Sequence, residues 1–254
     1  MKMHPSSYRL VDIPVRHRAR RRLRLEGPPP PLYAVGDIHG CYDQMIEAEE
    51  RIRKDAARRS GGTALVVYLG DYVDRGPHSA AVLDHLTGRH DDGLARIALC
   101  GNHDDTFLNF LRDPSGWMYW LGPNFGGAVT LESYGIDPDE ALWRDGAGLM
   151  RAVPQAHLSF LAGLPVFLHV GNYLFVHAGI RPAVALESQK DEDLIWIREP
   201  FLTEGPGLPL IVVHGHTPSA EPDLAPGRIG IDTGCFATGR LTVLRVDATG
   251  ARFV

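Results

Sequence analysis

The chain has 254 residues, 44% of them apolar, and a formal net charge of -5. That length and composition allow one large domain with a full-sized core, and no run of about 18 apolar residues is present to cross a bilayer. Three cysteines (Cys41, Cys100, Cys235) are too few and too odd in number for a disulfide framework and read as small buried residues; with no secretory leader pattern, a reducing, cytoplasmic setting is expected.

The charge is unevenly spread. Residues 1–31 carry eight basic side chains, including Arg16, Arg18, Arg20, Arg21, Arg22 and Arg24, against Asp12 and Glu26, leaving 18 basic and 29 acidic groups, about -11, in the rest. This segment ends in Gly27-Pro28-Pro29-Pro30-Pro31 and shows no sustained apolar periodicity. It is expected to be a basic, proline-rich arm laid on the surface or mobile, capable of meeting an acidic or nucleic-acid partner, and residues 32–254 are expected to form the catalytic domain.

Leu32-Tyr33-Ala34-Val35 reads as a strand running into Gly36-Asp37-Ile38-His39-Gly40. Asp37 and His39, two apart on an extended segment, can face one ion from the same side. A helix follows from Asp43, with Met45, Ile46, Ile52 and Ala56 as its apolar face and Gly61-Gly62 as its stop.

The run Ala64-Leu65-Val66-Val67-Tyr68-Leu69 is a buried strand delivering Gly70-Asp71-Tyr72-Val73-Asp74-Arg75-Gly76. A carboxylate emerging from such a strand needs a cation to offset desolvation, so Asp71 is the candidate shared between two metals. A helix entered at Pro77 comes next, then the strand of residues 95–100 leading to Gly101-Asn102-His103-Asp104 and a helix with Phe107, Leu108, Phe110 and Leu111 on its buried side. Residues 113–153 are aromatic-rich, with Trp117, Tyr119, Trp120, Phe125 and Trp143 among short helical pieces. They are expected either to pack as a helical cap or to wall a substrate groove.

A helix from Pro154 leads to a hairpin turning at Gly171-Asn172 and ending in His177-Ala178-Gly179. A loop is expected at Asp193-Leu194-Ile195-Trp196-Ile197-Arg198-Glu199, a strand at 210–213 ending in His214-Gly215-His216-Thr217-Pro218, and closing strands of a second sheet at 228–233 and 241–246.

Asp37, His39, Asp71, Asn102, His177 and His216 thus stand at successive loop ends. A mixed oxygen and imidazole set suits Mn²⁺, Fe or Zn²⁺, and six groups with one shared carboxylate fit two ions. Two ions about 3.5–4 Å apart clamp attacking and leaving oxygens and acidify a water, which points to phosphoryl substrates. Arg75 and Arg198 then contact phosphate in bidentate fashion; His103 protonates the leaving oxygen and Asp74 orients that imidazole. His4, His17, His78, His85, His90, His157 and His169 are expected to be ordinary surface or core residues. His214, two residues from His216, is expected to be an ordinary residue rather than one lining the site, and Asp232 to play a structural part near the closing strands.

The ordered set GDIHG, GDYVDRG, GNHD, HAG and GHTP, within residues 32–246, resembles the phosphoprotein-phosphatase family of calcineurin-like metallophosphoesterases, and the stretch from His177 to His216 is similar to its bacterial serine/threonine phosphatase branch. The resemblance implies an α/β (α+β) fold, a two-sheet β-sandwich flanked by helices. It also implies one metal held by Asp37, His39 and Asp71 and a second held by Asp71, Asn102, His177 and His216, with Mn²⁺ as the usual activating ion. Asp74, where symmetrical dinucleoside tetraphosphatases typically have alanine, favours a phosphoprotein or phosphopeptide substrate, although asymmetric dinucleotide hydrolases keep the same DRG form. Asp104 replaces a glutamate common in the third motif. The expected function is a two-metal serine/threonine, or tyrosine, phosphoprotein phosphatase. The alternatives are a diadenosine tetraphosphate hydrolase and a non-catalytic phospho-ligand-binding protein.

Overall fold

The site sits where strands from two sheets end together, and side-chain alternation explains how. The computed structural model describes residues 8–13, 20–27, 29–60, 63–141 and 146–254. In chain order its elements are β1 (Arg9–Asp12), β2 (Arg22–Glu26), β3 (Leu32–Val35), α1 (Tyr42–Ser60), β4 (Ala64–Tyr68), α2 (Ser79–Thr87), β5 (Leu94–Ala98) and α3 (Asn102–Arg112). Two 3-10 turns (Pro114–Gly116 and Met118–Leu121) precede α4 (Gly127–Ser133), α5 (Pro138–Ala141), α6 (Gly146–Ala152), α7 (Gln155–Gly163), β6 (Phe167–Val170), β7 (Tyr173–Val176), α8 (Asp191–Trp196) and α9 (Phe201–Glu204). The chain closes with β8 (Ile211–His214), β9 (Asp223–Ala225), β10 (Arg228–Gly230), α10 (Cys235–Thr238), β11 (Val243–Asp247) and β12 (Gly250–Phe253).

One sheet has the order β1-β2-β6-β7-β8-β10-β9 and the other β12-β11-β3-β4-β5. Along β3 and β4, Leu32, Ala34, Leu65 and Val67 point between the sheets and meet Leu168, Phe175 and Val213 of the other sheet. The alternate residues Tyr33, Val35, Val66 and Tyr68 point to the helical side. This two-residue period buries both faces, so the strands read as continuous apolar runs. Because β3, β4 and β5 are mutually parallel, their C-terminal ends deliver the first three motifs to one edge. The parallel pair β7 and β8 delivers the histidine motifs from the facing sheet. Helix α3 clamps this edge from the side, with Phe107, Leu108, Phe110 and Leu111 all buried; each such side chain contributes about 1.5–3 kcal/mol.

Three expectations change. The basic lead-in is not a detached arm over its described part: β2 pairs in parallel with β6 through Arg22↔Phe167 to Leu25↔Val170, and Leu23 and Leu25 enter the inter-sheet core. Arg22 is buried because its guanidinium donates to Asp191 Oδ1 (2.6 Å) and to the carbonyls of Gln189 (2.8 Å) and Arg20 (2.9 Å). Arg16 and Arg18, with His4, His17 and Pro28, lie outside the described residues, as do Gly61, Gly62 and Trp143. The segment before Arg198 is a short helix, α8, and not a loop: Asp191, Glu192 and Asp193 fill its first turn, where negative charge meets the exposed N–H groups. The two closing strands belong to different sheets, β10 beside β8 and β11 beside β3. No described helix is long and apolar enough to cross a membrane.

Candidate functional site

Five of the six non-glycine residues with positive φ among those described are site residues: His39 (47°), Asp71 (55°), Asp74 (74°), Arg75 (68°) and His216 (65°). Left-handed backbone costs an L-residue about 1 kcal/mol or more and persists where the surroundings impose it. At Asp71 the neighbour that helps to hold it is Asp104. Its carboxylate accepts the backbone N–H groups of Asp71 (2.8 Å), Tyr72 (2.8 Å) and Gly101 (2.9 Å), tying the second and third motif loops together. The substitution that looked conservative in sequence is therefore a structural clamp. Glycine is required beside it, since a Cβ on Gly101 would run into the Asp71 carboxylate, and one on Gly215 into that of Asp37.

The ligand candidates converge. Asp71 is common to two groups whose donor atoms lie within 4.8 Å of one another, one with His39 and His103 and one with His177 and His216. Asp71 Oδ1 lies 3.4 Å from His177 Nε2, and Oδ2 lies 3.5 Å from His39 Nε2. Asn102 Oδ1 lies 2.9 Å from both His177 Nε2 and His216 Nδ1. Asp37 is buried beside these groups and accepts from His216 N–H through Oδ2 (2.9 Å); its Oδ1 has no partner.

The tautomers follow from carbonyls behind each ring. His39 Nδ1 faces Val73 O (2.9 Å), His177 Nδ1 faces Leu69 O (3.0 Å), and His216 Nε2 faces Trp196 O (3.2 Å). A carbonyl can only accept, so each of those nitrogens carries the proton and the opposite nitrogen presents a lone pair inward. Several lone pairs then face one another and Asp71, an arrangement suited to divalent cations. Burial pushes the pKa values of His39, His177 and His216 down, the last to about 2, which keeps the rings neutral. Burial, with the nearby carboxylates Asp232 and Asp71, pushes Asp37 well up; burial and Asp104 do the same to Asp71. The residues present thus fit a pair of metal ions, with uncompensated carboxylates next to unprotonated imidazole nitrogens.

His103 and Asp74, expected to act as acid and orienter, are also brought together. His103 Nδ1 lies 2.6 Å from Asp74 Oδ2, and Trp120 Nε1–H donates to that same oxygen at 2.8 Å. Thr130 donates its hydroxyl to Asp74 Oδ1 (2.7 Å) and accepts the Asp74 backbone N–H (2.8 Å). Burial pushes Asp74 up to about 8, and the Thr130 and Trp120 donors oppose that by favouring the ionised form. The aromatic insertion thus does more than the two roles read from sequence. Trp120 packs as a cap against Phe107 and Phe110, Phe125 stands at the site against His103, and the Trp120 indole also holds the Asp74 carboxylate. No signal in the sequence linked Trp120 or Thr130 to Asp74.

Arg75 is half-buried and donates to Nε2 of His39 (3.1 Å) and of His103 (3.2 Å), with its guanidinium over the Phe236 ring. Arg198 is exposed at the lip, donating to His216 O at 3.4 Å. His214 faces away, against Phe201, and Asp232 accepts from Gly234 N–H beside Asp37. His85 and His157 pair with Glu49 and Asp84, away from the site. The three cysteines are buried and free.

A family model described as calcineurin-like phosphoesterase matches residues 30–244. An asymmetrical bis(5'-nucleosyl)-tetraphosphatase (PrpE) of Bacillus subtilis strain 168 is 29% identical over 230 residues, covering 83% of this chain and 88% of that protein. Among solved structures, one provisionally assigned as a diadenosine tetraphosphatase superposes with a TM-score of 0.62 at 22% identity, over 92% of this chain and 96% of that one. A cold-active protein-tyrosine phosphatase of a psychrophile, Shewanella sp., superposes with a TM-score of 0.52 at 15% identity, over 89% and 80%. These likenesses agree with the α/β sandwich expected from the motifs.

Proposed function

We propose that this chain, which belongs to the calcineurin-like phosphoesterase family, hydrolyses dinucleoside polyphosphates asymmetrically, as the name of its Bacillus subtilis relative states for that protein. The observation that carries this reading is the extent of the match, 83% of this chain and 88% of that protein. In this reading Asp37, His39, Asp71, Asn102, His177 and His216 hold two divalent cations, with Mn²⁺ favoured. Bound cations of this kind supply Lewis acidity toward phosphoryl oxygens and make water a nucleophile at neutral pH. Arg75 and Arg198 bind and orient the phosphate chain from two sides. His103 hands a proton to the departing oxygen, and Asp74, held by Trp120 and Thr130, keeps the ring in place.

A phosphomonoesterase acting on phosphoproteins, the first expectation from sequence, draws support from that same acid pair. A serine alkoxide needs protonation far more than a departing nucleotide phosphate does, so a buried, doubly braced Asp74–His103 pair suits it well. Steady-state kcat/KM for diadenosine tetraphosphate, a phosphoserine peptide and p-nitrophenyl phosphate, measured on protein stripped of metal and refilled with Mn²⁺, decides between them. The dinucleotide is expected to be preferred and to yield ATP and AMP. A preference for the peptide transfers the assignment to the rival, and ADP as sole nucleotide product removes the asymmetry.

A further inference from the structure

A line of touching rings crosses the site. Phe236 meets His39 with centroids 5.5 Å apart, His39 meets His103 at 4.6 Å, and His103 meets Phe125 at 4.4 Å. Phe125 is flanked in turn by Tyr119 at 5.5 Å and Trp196 at 6.0 Å. The two ends of this line differ. At one end Phe236 already carries the Arg75 guanidinium 4.6 Å from its centroid. At the other, Tyr119 is 52% exposed while the next residue, Trp120, is wholly buried. Among the described residues no cation stacks on Tyr119.

A ring that served only to pack the insertion would turn inward as Trp120 does. Tyr119 instead extends an aromatic wall from His103 into solvent. Trp196 also borders a polar cleft of about 460 Å³ in which Arg198, Lys190 and Arg181 stand beside Glu192, Asp193 and Glu199; Arg181 is paired with Asp193, which leaves Arg198 as the cation nearest the rings. Aromatic surface next to arginines and the metal-ligand cluster matches a ligand with a flat base at the end of a phosphate chain: the rings offer a π-face to the base and the cations meet the phosphates.

We propose that Tyr119, Phe125 and Trp196 form a stacking subsite for one nucleobase of the substrate, which Arg198 holds in register through the phosphate chain. This rests on the dinucleotide reading above and adds to it the residues that distinguish a nucleotide from a bare polyphosphate.

The test uses the full chain loaded with Mn²⁺ and compares kcat/KM for diadenosine tetraphosphate with that for inorganic tetrapolyphosphate, which has the same number of anhydride links and no base. Tyr119→Ala is expected to lower the ratio of the two about ten-fold, mainly through KM, the size of one base–aromatic stack. Tyr119→Phe retains the ratio. Tyr119→Leu, which retains apolar bulk without a π-face, lowers it as alanine does and so separates stacking from packing. A wild type that prefers the dinucleotide, with a ratio unchanged in both the Ala and Leu variants, overturns the subsite and leaves the proposed function standing. A wild type that turns over phosphopeptide but neither polyphosphate overturns both.

Discussion

Two clusters of buried polar side chains lie on neighbouring elements and are built in opposite ways. Around Glu49, on α1, every charge is answered: Arg96 donates twice (2.7 and 2.8 Å), Arg53 once (3.1 Å), His85 lies at 3.1 Å, and Tyr68 donates its hydroxyl. Burial alone would push Glu49 up, yet the donors of His85, Arg96 and Tyr68 hold it well below the usual carboxylate range. Around Asp71 the polar groups are answered only in part: Asp71 Oδ1 accepts the His103 N–H (3.0 Å) and Asp37 Oδ2 the His216 N–H (2.9 Å), yet Asp37 Oδ1 has no partner, lone pairs face lone pairs, and burial pushes Asp71 and Asp37 up. The first arrangement fastens a helix to two strands; the second keeps free energy in reserve for a ligand.

Asp71→Asn breaks that contrast most severely. Turnover is expected to fall by about 10²–10³-fold or more, with metal content reduced in elemental analysis. The metal-free variant should melt no lower than metal-free wild type, because a buried like-charge contact has been relieved. Glu49→Ala should do the reverse. Breaking a buried pair costs about 3–5 kcal/mol, visible as a lower denaturation midpoint, while kcat per folded molecule stays near wild type. A folded, stable Glu49→Ala protein with lost activity would merge the two clusters into one functional unit.

Subtler changes test the acid pair. His103→Ala is expected to lower kcat by about 10²-fold or more without emptying the metal site. Trp120→Phe should cost about ten-fold, with the loss larger for phenyl phosphate than for p-nitrophenyl phosphate, since the poorer leaving group depends more on protonation. Equal losses on both substrates would reduce Trp120 to packing.

The smallest effect concerns pH. Asp37 and Asp71 have folded pKa values raised above their unfolded values, so their contribution to stability is full below about 4 and is lost as pH rises through the folded values. Glu49 has the opposite sign: its contribution is present above about 4.3 and is lost on acidification toward its depressed folded value. Thermal melts from pH 5 to 8 should therefore show metal-free protein losing stability with rising pH and Mn²⁺-loaded protein not doing so. Parallel slopes would contradict the assignment of the strain to the metal-ligand carboxylates.

Where the chain was legible, it was so because both faces of a strand are buried. β3 and β4 announce themselves as apolar runs, and the glycine-flanked polar residues after them come together as expected. β2 was not legible, because Arg22-Leu23-Arg24-Leu25-Glu26 alternates for only five residues and its buried arginine is answered by Asp191, far along the sequence. α8 is six residues long, too short to show a helical period, and its acidic first turn resembles a solvated loop. The indole of Trp120 and the hydroxyl of Thr130 reach Asp74 across 46 and 56 residues, separations at which no local pattern operates. The left-handed backbone at His39, Asp71, Asp74, Arg75 and His216 is imposed by neighbours, Asp104 among them, and is invisible to residue type.

The family match starts at residue 30, yet the seven-stranded sheet draws two strands from residues 9–26. A protein trimmed to the matched boundary would leave β6 as a naked border, its hydrogen-bonding groups open to pairing with other molecules. It would also strip Asp191 of its buried guanidinium and slacken α8, which carries Trp196 and leads into Arg198. Shortened versions are thus expected to self-associate and to grip phosphate weakly, for a reason that lies outside the chemical motifs altogether.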